Sequence, residues 1–167
     1  AYIPANGPAD YGPADVQVFS TSDGALVAKL PNPKVPGWQV GPLSVAAAPD
    51  DRTFYVDYAA YHFGSSSPVQ QAWLYRFSIT SSGSVTPPAR IKGGVLSGAA
   101  GVGNGTGLAV SPDGTRLALT GDGDADHLRN SDQGYSDQII VSDLRTGQQM
   151  RWQGGLYRPG RLLTVVN

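Results

Sequence analysis

Asp122, Asp124 and Asp126, at alternate positions in the run Gly121-Asp-Gly-Asp-Ala-Asp-His127, are the side chains of this sequence best spaced for chemistry. Alternating carboxylates in a tight loop can wrap hard oxygen ligands around a calcium ion. The pattern is half of an EF-hand loop. His127 stands where that loop has glycine, and Gln133 where it has a bidentate glutamate. The run therefore reads as a solvated acidic loop, with no cofactor expected, or alternatively as a calcium site.

A second group is aromatic. Tyr58, Tyr61 and His62 lie in the stretch Tyr58-Ala-Ala-Tyr-His-Phe63, and Trp38 follows a Pro-Gly pair. Rings on a loop can stack on a sugar or a peptide; the alternative is that Tyr58, Tyr61 and Phe63 cover the end of a sheet. Trp38 is expected in an exposed loop, whereas Trp73 and Trp152 are expected to pack. His62 and His127 are the only histidines, and on neighbouring loops they could bind a metal or move protons. No G-x-S-x-G elbow is present, so nothing marks a serine nucleophile.

Whatever these residues do, a framework must hold them. The chain has 167 residues, enough for a core without disulfides, and it has no cysteine, which removes thiol catalysis and thiolate metal sites. Its 12 basic residues, against 13 acidic ones, are scattered singly, so no cationic surface for nucleic acid is expected. No apolar run reaches the roughly 18 residues of a membrane span. With 22 glycines and 13 prolines the chain is rich in turns, and no apolar pattern keeps a 3.6-residue period for three turns. The fold class is all-β.

The framework is a repeat. Val45-Ala-Ala-Ala-Pro-Asp-Asp-Arg-Thr-Phe-Tyr-Val56 lies over Leu108-Ala-Val-Ser-Pro-Asp-Gly-Thr-Arg-Leu-Ala-Leu119 without a gap, each copy reading strand, Pro-Asp turn, strand. A second hairpin occurs three times, ending at Gly24, Gly83 and Gly147. It predicts that Val16/Val18, Tyr75/Phe77 and Ile139/Val141 are equivalent and face one side of their sheets. The unit is thus four antiparallel strands. An incomplete unit spans 1–30, full units span 42–93 and 105–153, and the first strand of another spans 161–167. A β-sandwich is the competing architecture.

The motifs Leu108-Ala-Val-Ser-Pro-Asp-Gly-Thr-Arg-Leu-Ala and Asp137-Gln-Ile-Ile-Val-Ser-Asp-Leu-Arg-Thr-Gly147 resemble the WD40-like and TolB-like β-propellers of bacteria, and their order resembles uncharacterised propeller proteins of high-GC Gram-positive bacteria. The resemblance implies four-stranded blades and an extracytoplasmic or secreted setting. The Gly-His and Trp-Asp signatures of eukaryotic WD40 repeats are missing. Twelve expected strands make three blades, fewer than the 4–8 of a closed ring. Two outcomes are expected: the chain is the N-terminal half of a longer propeller, or two chains close a six-bladed ring, with Leu162–Val166 completing the partner's first blade. Either way, self-association through open blade edges is expected.

The turns are lopsided. Those within hairpins are short, whereas Pro31–Pro42, Ala59–Gln70, Gly94–Thr106 and Gly121–Ser136 are long and share one face. The expected function is a non-catalytic module that binds a protein or carbohydrate through that face, with Trp38, Tyr58, Tyr61 and His62 as ligand contacts. The alternative is part of a propeller hydrolase or lyase with a calcium-assisted site at Asp122, Asp124 and Asp126.

Overall fold

The computed structural model describes residues 15–62, 69–91, 107–122 and 137–153. They form ten strands and no helix: β1 Val16–Phe19, β2 Leu26–Leu30, β3 Trp38–Ala47, β4 Thr53–His62, β5 Val69–Ser78, β6 Ala89–Arg90, β7 Gly107–Val110, β8 Arg116–Asp122, β9 Asp137–Asp143 and β10 Gln149–Gln153. Every pairing is antiparallel. β1 and β2 make a hairpin, while β3 to β6 and β7 to β10 each make a four-stranded sheet with neighbours in chain order. The strands expected at Ala1–Ile3 and within 161–167 lie outside the described residues, as do Phe63, Asp124, Asp126 and His127.

Both copies of the first repeated hairpin make the same pair of backbone bonds. The Ala48 amide donates to the Thr53 carbonyl and the Asp51 amide to Ala48; in the later copy Ser111 donates to Arg116 and Gly114 to Ser111. Asp50 accepts the Arg52 and Thr53 amides on one carboxylate oxygen, and Asp113 accepts the Thr115 amide in the same way. Position three of this turn has to be left-handed: φ is 54° at Asp51 and 71° at Gly114. A side chain there is strained. Gly114→Ala is therefore expected to cost about 1 kcal/mol, and Asp51→Gly to gain somewhat less than about 1 kcal/mol, as read from urea midpoints.

The second repeated hairpin departs from its expected register. β5 places Tyr75 opposite Val56, whereas β9 places Ile140 opposite Leu119, the residue equivalent to Val56. Tyr75 therefore corresponds to Ile140 and not to Ile139. The reason lies in the turns. Asp143 accepts the Gly147 amide across a four-residue step, while Thr80 accepts the Gly83 amide across three, and the β5 side continues through an Ile79–Val85 bridge. Matching the glycines slips the strand by one, and a slip of one exchanges the two faces. Ile139 is accordingly exposed at 39%, while Ile140 is buried.

The three sheets stack in chain order. Val16, Val18, Ala28 and Leu30 from the β1–β2 hairpin pack on Phe54, Val56, Tyr58, Tyr75 and Phe77 of the second sheet. The other face of that sheet, with Tyr55 and Leu74, packs on Leu108, Leu117, Leu119 and Ile140 of the third. The second sheet is covered on both sides, which explains why β4 reads Phe-Tyr-Val-Asp-Tyr-Ala-Ala-Tyr without alternation.

Two boundaries differ from the expected ones. The second sheet begins at Trp38, not Pro42, because Pro42 sits on an edge strand at a bulge between Pro42 and Ser44, where a missing N–H is tolerated. Tyr58, Tyr61 and His62 belong to strand β4 and not to a loop, since each pairs with β3 on one side and with β5 on the other.

Candidate functional site

β3 and β4 bring two of the expected site residues together. Trp38 is the register partner of His62, and their rings lie 5.3 Å apart at 54°. Gly37 closes the turn before Trp38 with φ 78°. A Cβ at Gly37 would lie 3.3 Å from His62 Nε2, so the imidazole fits against bare backbone. The Trp38 amide donates to the Val35 carbonyl, which fixes the approach of the Pro31–Pro36 segment.

Beneath Trp38 lies Trp73, a residue that the sequence marked only as core. The two indoles are 4.9 Å apart at 51°. The Trp73 Nε1–H donates to Gln71 Oε1 at 2.8 Å, and the Arg90 guanidinium sits 4.4 Å above its ring. A cation on an aromatic face contributes about 0.5–1 kcal/mol near the surface. The strand pattern could have indicated this stack. Tyr75 pairs with Arg90, which puts Arg90 diagonal to Trp73.

On the outer side of Trp38 a groove of about 510 Å³ opens between the 31–36 segment and β3, lined by Asp15, Asn32, Lys34, Val35, Trp38 and Val40 with three prolines. Trp38 is half-buried, so part of the indole remains available. Asn32 is the unusual member. Both its Oδ1 and Nδ2 are buried without a hydrogen-bond partner, an arrangement that costs free energy unless something supplies the bonds.

No family model matches this chain, and no curated protein matches it significantly.

Tyr58 does not reach the surface. It is completely buried, edge-on to Tyr75 at 5.6 Å and tilted against Phe77 at 6.4 Å, so it serves the core and is closed to direct ligand contact. Its hydroxyl has no partner. Burial, and then the charge of Asp15, push its ionisation well above the usual tyrosine range. Tyr61 lies on β4 opposite Gln39 and Gln70.

Asp122 ends β8 opposite Asp137. Asp124 and Asp126 lie outside the described residues, so the calcium reading stays with the sequence. Among the described residues no group of three or more histidines or acids is placed to hold a metal. The acids of the described turns bind their own backbone instead. Asp113 is held down to about 2, first by the Ser111 hydroxyl and then by the Thr115 amide and hydroxyl. Among the described residues no helix is long and apolar enough to cross a membrane.

One acid was missed altogether. Asp57 is completely buried on β4 between the second and third sheets, and neither carboxylate oxygen has a hydrogen-bond partner. Its register neighbours are Ser44, whose hydroxyl is also buried and unpartnered, and Leu74. Burial raises its pKa to about 7; the nearby Tyr58 amide acts in the opposite direction but makes no bond of good geometry. At neutral pH such a carboxyl is substantially protonated.

Proposed function

We propose that the three stacked sheets are consecutive propeller blades, and that the chain is a non-catalytic binding module taking a carbohydrate or an extended protein segment in the groove beside Trp38. The blade reading is supported by the sequence-ordered meanders and by their stacking in chain order, with β7 lying against β3. In such a ring each sheet hides its neighbour's apolar face.

The binding reading rests on one observation: a half-buried indole, backed by a second indole and an imidazole, borders a groove lined also by Asn32, whose amide is buried without a partner. An aromatic face gives apolar contact to a sugar ring or a proline-rich segment. A planar amide with one acceptor and two donors then fixes orientation. The structure around Trp38 is already packed, so little ordering entropy opposes binding.

An array of printed oligosaccharides and peptides, probed with the wild-type chain and with Trp38→Ala, tests this. Trp38→Ala is expected to weaken the hits by about tenfold or more, equivalent to about 1.4 kcal/mol, with the β-sheet circular-dichroism spectrum retained. Hits bound equally well by Trp38→Ala would place recognition elsewhere.

A further inference from the structure

A second cavity lies away from the Trp38 groove, on the other face of the second sheet. It measures about 320 Å³ and separates the outer strands of the second and third sheets, near the β9–β10 turn. Leu74, Ile91 and Leu144 supply apolar wall, and Tyr55, Arg76 and Ser142 supply polar groups.

The polar groups are unspent. Ser142 is 3% exposed, and its hydroxyl is buried without any hydrogen-bond partner. Among the described residues Arg76 makes no hydrogen bond and no ion pair; burial raises the pKa of the Tyr55 hydroxyl, and the Arg76 charge partly opposes that rise. The acids nearby are already engaged. Asp143 also lines the cavity, but its Oδ1 accepts the Arg145 and Thr146 amides, and Asp50 accepts the Arg52 and Thr53 amides and the Thr53 hydroxyl. Arg90 lines the wall too, yet its guanidinium lies over Trp73. Gln149 also lines the wall and has a partner of its own, so among the described residues what remains is the Arg76 guanidinium with two hydroxyls over an apolar floor.

We propose that this inter-sheet cavity binds a small organic carboxylate, the anion meeting Arg76 and the Tyr55 and Ser142 hydroxyls, and the apolar body lying on Leu74, Ile91 and Leu144. A guanidinium presents a planar fork that matches a carboxylate, and charge-assisted bonds are roughly twice as strong as neutral ones. A buried hydroxyl without a partner gains a bond that folding did not supply. The site is independent of the groove and would survive the failure of the Trp38 reading.

The test is a titration of the isotopically labelled chain with benzoate, and in parallel with benzamide, its neutral counterpart, following backbone amide resonances of Arg76, Ser142 and Leu144. Benzoate should give saturable shifts at all three, with benzamide binding about tenfold or more weakly. Arg76→Gln should lose benzoate selectivity. Ser142→Ala should weaken benzoate without lowering the melting temperature, because it removes a hydroxyl that bonds nothing in the fold. Absence of saturation by benzoate, equal binding of benzamide, or unchanged benzoate affinity in Arg76→Gln would each overturn the proposal. Shifts at Trp38 and Asn32 instead would assign the carboxylate to the groove and also count against the cavity.

Discussion

Replacing Asp57 by asparagine is expected to stabilise the protein at pH 8 and to change little at pH 3. The folded carboxyl titrates near 7, against an ordinary value of 3.8, because burial disfavours the charge. The fold therefore holds this proton more tightly than the unfolded chain does. The stabilisation is complete below about pH 3.8, declines between 3.8 and 7, and is lost above 7. At 1.36 kcal/mol per unit this is of order 4 kcal/mol, an upper bound because the interior can relax around the charge. Asparagine keeps the shape and has no charge to bury. Melting curves of the two proteins should separate by up to about 10 °C at pH 8 and converge in acid. A difference independent of pH would show that Asp57 is solvated or paired.

The other large effect belongs to Trp73. It is 3% exposed, and both Trp38 and the Arg90 guanidinium lie against its ring. Trp73→Ala should cost about 3–5 kcal/mol, the usual range for emptying a buried aromatic site. It should also release Trp38 from its support, so that array binding falls even below the unfolding temperature. Trp73→Phe keeps a ring but loses the bond to Gln71, and should cost less than half as much while retaining binding. If Trp73→Ala remained as stable as the wild type, the stack would be ornamental. If it unfolded yet Trp73→Phe bound normally, the ring contact alone would be sufficient.

The sequence carried much of this framework, for reasons visible at particular residues. Pro49 and Pro112 mark the same turn because proline, aspartate and a left-handed third position make one local hydrogen-bond pattern. Local chemistry is legible in this way. Facing is less so: Ile139 and Ile140 exchange roles through a one-residue difference in turn length, which no local preference records. Tyr58 and His62 read as loop because β4 is apolar without alternation, a consequence of being covered on two sides. Asp57 was invisible for the converse reason. An acid in a strand ordinarily marks the wet face, and only the third sheet makes that face dry. Of the four expected ligand contacts, Trp38 and His62 meet, while Tyr58 is diverted to the core.

The side-chain resonances of Trp38 and Asn32 test the binding account most directly, followed by nuclear magnetic resonance while the strongest array ligand is added. The account predicts that the Trp38 indole N–H and the Asn32 side-chain amide shift together and saturate at one affinity, because both residues line the same groove. Saturable binding that leaves both resonances in place would contradict it.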